Sequence, residues 1–333
     1  MEARAPLLDL EVEIEAVALE RLEVPFGEWT RATTVVHLRG GGFEGVGEDV
    51  TYQPEHHVDP PRPEVAGRWT LESYSRGLEG FDSFREKPLD SAAHDYRRWA
   101  WESAALDLAL AQGGLTLGEA LGREPRPVRY VVSTRVENVR PLLERYPDLR
   151  FKLDPSRDWP DAVFDELAGS GRVDTADYKG VFRGEFGNAP DPELYVRVAE
   201  AFPQAWLEDP GLNEETTAAL EPYRERITWD APIHSWADVE RLPFPPRCLN
   251  CKPSRFGTLE RLLEFYARCA AQGIALYGGG QFELGPGRAQ IQELASLFHA
   301  DAPNDVAPGA FNVDAVPEDA PQSPLDPPAA FGV

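Results

Sequence analysis

From Val128 onward, short apolar runs alternate with amphipathic stretches. Candidate strands are Arg129–Ser133, Leu149–Leu153, Val173–Lys179, Ala205–Glu208, Ile227–Asp230, Cys248–Lys252 and Ile274–Tyr277. Helical segments lie between them. The clearest runs from Thr258, a side chain suited to capping, through Leu259, Leu262, Leu263 and Tyr266 to Gly273, and another runs from Pro192 to Phe202 behind Asp191. Repeated strand-then-helix units predict parallel strands whose C-terminal ends share one face of a barrel. Seven strands and a short last one near Asp305-Val306-Ala307 would close it.

The pattern ahead of this is different. Val12, Ile14, Ala16 and Ala18 alternate with Glu11, Glu13 and Glu15, and Thr34 to Leu38 form a second run, which predicts antiparallel strands. Gly40-Gly41-Gly42 makes a turn, and Gln53 to Pro63, with four prolines and two histidines, reads as a loop. A long helix is expected from about Ala92 to Gln112, ended by Gly113-Gly114. The chain therefore reads as α/β: an N-terminal α+β capping domain over residues 1–125 and a modified (β/α)7β TIM-like barrel over 126–312. Residues 313–333 form a Pro-rich tail expected to return to the cap.

At 333 residues with 42% hydrophobic content, there is enough chain for one large barrel plus a smaller domain. The net charge of −24 argues against nucleic-acid binding, which needs clustered Lys and Arg. The start, Met1 to Pro6, has no long apolar segment and no 18-residue apolar stretch follows, so no membrane is expected and the default location is the cytoplasm. Cys248 and Cys251 match a CxxC spacing, but no second pair completes a zinc site; with Cys269 they read as buried thiols.

Charged residues at the strand ends carry the candidate chemistry. Glu208, Asp230 and Lys252 are spaced 22 residues apart, each closing a strand. Asp177 closes the preceding strand, with Asp174 as its rival. Three carboxylates on adjacent strands make a hard-oxygen set suited to Mg²⁺. Arg150, a candidate substrate-binding residue, and Lys152 share a face of the second strand; if that face lines the barrel interior, Lys152 opposes Lys252 across the axis. A lysine inside a barrel is costly unless it is paired or functional. Gly279, Gln281 and Glu283 lie in the glycine-rich segment after the seventh strand, which could hold a substrate carboxylate. His56, His57 and His234 read as surface or loop residues.

Several motifs together resemble the enolase superfamily, in its muconate-lactonizing, o-succinylbenzoate synthase and dipeptide epimerase branch. Gly45-Val46-Gly47-Glu48 is similar to the GxGE turn of the capping domain, and Glu102 to Asp107 to that family's ES-A-x-x-D helix. Glu208-Asp209-Pro210 is similar to the strand end EDP, and Lys252 to Gly257 to its sixth-strand lysine turn. The resemblance implies Asp177, Glu208 and Asp230 as Mg²⁺ ligands, with Lys152 and Lys252 flanking the substrate carbon. Two positions depart from it: the family's KxK is Arg150-Phe151-Lys152 here, or Lys152-Leu153-Asp154 in another register, and its DxN is Asp177-Tyr178-Lys179.

The expected activity is Mg²⁺-dependent removal of a proton α to a carboxylate, with Lys152 as first base. Lys252 would be the opposite acid/base or a cation stabilising the enediolate. Elimination of water or cycloisomerisation would follow; racemisation or epimerisation by the same two lysines is the alternative. A non-catalytic, metal-stabilised binding protein is the reading from another class. The partner is a small carboxylate, and homo-oligomer formation is compatible with the sequence.

Overall fold

The computed structural model describes residues 7–26, 29–182, 187–311 and 316–332. The chain starts with strands β1 (Glu11–Ile14), β2 (Ala16–Phe26), β3 (Trp29–Gly40), β4 (Phe43–Asp49) and β5 (Gly67–Thr70). Strands β2, β3 and β4 form an antiparallel sheet, and β1 pairs antiparallel with β5. Gly41 and Gly42, at φ 58° and 83°, supply the left-handed backbone that the tight β3–β4 turn needs.

Helices α1 (Leu71–Gly77) and α2 (Ala93–Gly113) follow. α2 buries residues on most of its circumference, among them Trp99, Ala100, Ala104, Ala105 and Leu108. The Gly45-Val46-Gly47-Glu48 motif, expected as a turn, lies within β4. Its glycines have a packing reason. A Cβ at Gly45 would stand 2.2 Å from the Leu108 nitrogen, and one at Gly47 2.1 Å from the Ala100 oxygen. The backbone of α2 thus lies directly on the strand, an approach only glycine allows.

Helix α3 (Leu117–Leu121) leads into parallel strands β6 (Val132–Ser133), β7 (Phe151–Leu153), β8 (Val173–Asp177), β9 (Trp206–Glu208), β10 (Ile227–Trp229), β11 (Cys248–Cys251) and β12 (Ala275–Gly278). They neighbour one another in chain order. Asn304 bridges Tyr130 on one edge and Asp305 bridges Gly279 on the other, so this pair fills the eighth stave. The helices between are α4 (Val136–Arg145), α5 (Asp161–Ser170), α6 (Pro192–Ala201), α7 (Glu214–Leu220), α8 (Trp236–Val239), α9 (Leu259–Gln272) and α10 (Gly287–Phe298). Thr258 and Asp191 cap α9 and α6 by accepting from the Arg261 and Leu194 amides. Phe151, Leu153, Leu207, Ile227, Leu249 and Cys251 join the hydrophobic core. Interleaved with them are polar Lys152, Thr175, Thr228 and Asn250, equally buried, as strands covered on both faces require.

A bulge interrupts the β7–β8 pairing: Phe151 pairs with Val173 but Lys152 with Thr175, leaving Asp174 as the extra residue. The N-terminal elements hold the barrel through buried polar contacts. Glu48 accepts from the amides of Leu284, Gly285 and Gly287 at 2.7–3.1 Å, and buried Arg31 donates to the Gln281 and Phe282 carbonyls. In the tail, Leu325 pairs with Val128 and Phe331 is buried. Residues 312–315 of that segment lie outside the described residues.

Candidate active site

The C-terminal ends of the barrel strands gather most of the residues singled out in the sequence. Asp177 and Glu208 end β8 and β9 and pair in register; Asp230 follows β10 and Lys252 follows β11. Lys152, in the middle of β7, is 2% exposed. Its ammonium donates to Glu208 Oε1 and lies 3.4 Å from Asp177 Oδ2 and 3.8 Å from Asp305 Oδ2. On the other side, Lys252 Nζ donates to Asp230 Oδ2 at 2.8 Å, and Arg255 donates to Asp230 Oδ1 at 2.5 Å. β7 and β11 are the second and sixth of eight staves, so the two lysines enter from opposite sides.

Carboxylate oxygens of Asp177, Glu208 and Asp209 lie within 4.8 Å of one another, and all three residues are buried. Asp230 is drawn instead onto Lys252 and Arg255. Asp209, at φ 50°, turns its two oxygens to the amides of Asp230 and Ala231, 2.9 and 2.8 Å away, and so fixes the loop carrying Asp230. Tyr277, wholly buried in β12, donates its hydroxyl to Glu208 Oε2.

Burial and the mutual field of these groups shift their acidities. Burial raises Glu208 well above the usual carboxylate range despite Lys152, and takes Asp209 up to about 7 with help from Asp230 and Asp177. At Asp177 burial pushes the same way, but Lys152 and Lys179 outweigh it and hold the pKa low. Burial likewise acts on Asp230, where Arg255 and Lys252 win and lower it. Lys152 is raised, because Glu208 and Asp177 overcome its desolvation, whereas burial lowers Lys252.

Of the other expected residues, Gly279 touches the site: a Cβ there would sit 2.7 Å from Lys252 Cε, so the glycine makes room for the lysine stem. Gln281 and Glu283 are buried and hold their own loop. The Gln281 amide donates to Glu283 Oε1, and the Gln281 side chain meets Tyr52 and Tyr96 of the N-terminal region. Arg150 does not reach the site. It precedes β7 and grips Asp174 and the Gly171 carbonyl at the opposite end of the strands. β7 begins only at Phe151, so Arg150 lies short of the strand, and Asp174, the extra residue of the β8 bulge, is held by Arg150 rather than set beside Asp177. His57 is buried rather than superficial, bonded to Thr34 and the Thr51 carbonyl, and the rings of His56 and His234 contact Phe84 and the Ala231 carbonyl. The cysteines are free and buried.

Sequence reasoning gave no role to Tyr277, Asp209, Arg255 or Asp305. Asp209 and Arg255 stand inside the quoted motifs, one and three residues beyond Glu208 and Lys252, so a signal was present. The interior tyrosine left none. Backbone strain marks the same place. Among the described residues, four non-glycine positions have positive φ, and three of them, Lys179, Asp209 and Phe282, follow strands β8, β9 and β12.

The donor set fits a divalent cation. Asp154, Asp177, Glu208, Asp209, Asp230 and Asp305 face Lys152, Lys179, Lys252 and Arg255, an excess of two formal negative charges supplied by hard oxygen ligands.

Two family models cover almost the whole chain: "Domain of unknown function (DUF8230) N-terminal domain" over residues 5–120 and the corresponding C-terminal domain over 124–313. The chain belongs to the DUF8230 family. An N-succinylamino acid racemase of Thermus thermophilus is 27% identical over 88% of this chain and 85% of its own. The dipeptide epimerase of Methylococcus capsulatus, solved with a Mg ion, superposes with a TM-score of 0.70 at 20% identity, covering 91% of this chain and 92% of that one. A member of the enolase superfamily from Listeria innocua gives a TM-score of 0.65 at 20% identity, covering 97% and 91%. The fold of this DUF8230 chain is therefore that of the enolase superfamily, barrel and N-terminal sheet domain alike.

Proposed function

We propose that this chain is a Mg²⁺-dependent enzyme that removes the proton α to the carboxylate of a small acid. The carrying observation is the entry of Lys152 and Lys252 from diametrically opposed staves onto buried carboxylates of adjacent strands, Lys152 on Glu208 and Lys252 on Asp230. Asp177, Glu208 and Asp230 would hold the ion, with Asp209 steadying the loop of Asp230. When bound, the ion stabilises the second negative charge that proton removal places on a carboxylate. Lys152 and Lys252 then stand on either side of the carbon, one taking the proton and the other able to return one to the opposite face. Arg255 and Asp230 hold Lys252, and the tie from Arg31 and Tyr52 to Gln281 and Phe282 keeps the glycine loop over the mouth, restricting water.

Two opposed amines favour racemisation or epimerisation over one-faced elimination. The racemase relative and the epimerase neighbour support N-acylated amino acids or dipeptides as first substrates to try. The test is incubation with Mg²⁺ and a panel of such acids in D₂O, following loss of the α-proton by NMR. Wild type should exchange the α-proton of both enantiomers of one substrate. Lys152→Met and Lys252→Met should each abolish exchange from one enantiomer and spare the other. Exchange that survives both changes would remove the two lysines from the reaction, and exchange lost in only one of them would point to elimination.

A further inference from the structure

This chain has 29 arginines and only four lysines: Lys87, Lys152, Lys179 and Lys252. Three of the four meet the acids at the barrel mouth, and Lys179 has no part in the function proposed above. Arginine is the default cation here, so a lysine marks a place where a compact ammonium on a flexible stem suits better than a rigid planar fork. Lys179 also has a φ of 55°, in the left-handed region that a residue with a long side chain rarely adopts. That backbone folds Lys179 back on Asp177: its amide donates to Oδ1 at 3.0 Å and its ammonium to Oδ2 at 2.5 Å. A second acid, Asp154, stands 3.7 Å from the same ammonium, with half of its side chain exposed. Lys179 thus has two seats, one on an acid read as a metal ligand and one at the rim.

We propose that Lys179 is a tethered counter-ion that occupies the cation position on Asp177 and steps across to Asp154 when the divalent ion binds. This rests on the metal reading of the site. Asp177 is fully buried, and the Lys152 ammonium 3.4 Å away is shared with Glu208, so Lys179 supplies the cation in direct contact with it and lowers the cost of a buried charge. Once a dication takes Asp177, an ammonium within a few ångströms is repelled, and Asp154 offers it the nearest compensation. The exchange lowers metal affinity, keeps the empty site paired, and leaves a positive charge at the rim where a substrate carboxylate enters.

Calorimetric titration with MgCl₂ at fixed pH and ionic strength tests the exchange in wild type, Lys179→Met, Asp154→Asn, the double variant and Asp177→Asn, with Lys179→Gln in reserve should the methionine fail to fold. Removing the lysine should tighten the Mg²⁺ dissociation constant at least 5-fold. Asp154→Asn should loosen it about 3-fold when Lys179 is present and leave it unchanged in the double variant. In reductively ¹³C-methylated protein, where only four lysines and the N-terminus report, the Lys179 resonance should move on Mg²⁺ addition while that of Lys87 stays. An equal or weaker constant after Lys179→Met, or a Lys179 resonance unmoved at saturation, overturns the proposal. If wild type binds no Mg²⁺, the metal reading falls and takes this inference with it. If binding is lost in Asp177→Asn yet indifferent to Lys179→Met, this inference alone falls.

Discussion

An ammonium as deeply buried as that of Lys152 persists only where carboxylates surround it, since an unpaired buried charge costs several kcal/mol. Glu208 meets Lys152 with one oxygen and Tyr277 with the other, so its orientation is fixed from both sides. Tyr277→Phe deletes the second support with little change of shape. Partners that orient a ligand commonly contribute about 10-fold or more to metal affinity, and Mg²⁺ binding should weaken by about that factor with the fold retained. An unchanged constant by calorimetry would reduce Tyr277 to packing. Arg150 gives the contrasting case. Its pair with Asp174 is partly exposed, and such pairs contribute about 0–1 kcal/mol. Arg150→Ala should shift the melting temperature only slightly and leave Mg²⁺ binding alone; a weakened Mg²⁺ constant would mean that Arg150 bears on the site after all. Position in the sequence favoured Arg150 because strict alternation puts residues 150 and 152 on one face. Alternation does not say how far along a strand a side chain stands: β7 starts at Phe151, so Arg150 falls at the N-terminal end of the strands while the acids gather at the C-terminal ends.

At the level of elements, the barrel strands were legible because each is a short apolar run, four of the seven ending on a charge, and the 22-residue step from Glu208 through Asp230 to Lys252 survives in the structure as consecutive staves. Helix caps at Thr258 and Asp191 were equally readable, since a capping side chain acts on its own next turn. The glycines of β4 were not, because the reason for them lies about 60 residues away in α2. Gly47→Ala should force helix and strand apart. Overpacking of this kind costs about 1–3 kcal/mol, enough to lower the melting temperature by several degrees. Gly169→Ala is the matched control: it lies in α5 with nothing within 4 Å of an added Cβ, and alanine is the better helix former by up to about 1 kcal/mol. The first substitution should destabilise and the second should not. Equal melting temperatures by calorimetry would mean that α2 does not press on β4.

In the molecule as a whole, two acids buried near the seam between cap and barrel have raised pKa values. Asp107 on α2 and Glu293 on α10 each rise to about 7, chiefly through burial, aided by Glu44 at Asp107 and by Asp107 itself at Glu293. Asp107 accepts from the Val46 amide, while Gln290, one turn before Glu293, donates to the Val46 carbonyl, so both acids sit at one seam. Their ordinary values are 3.8 and 4.5. Between those values and about 7 the folded chain keeps protons that the unfolded chain releases, so stability must fall as pH rises through that window. The contribution is complete below the unfolded values and gone above the folded ones. The net charge of −24 adds self-repulsion in the same direction, but salt screens that repulsion far more than it does a buried pair. Melting curves at pH 5.5 and 8.0 in high salt, with chelator present, should therefore show wild type losing stability with rising pH. Asp107→Asn combined with Glu293→Gln should make the slope shallower, because neither amide can release a proton, the remainder belonging to Asp209 and Glu208. If the double variant kept the wild-type slope, the pH sensitivity would belong elsewhere, and the seam between cap and barrel would not be where the molecule senses it.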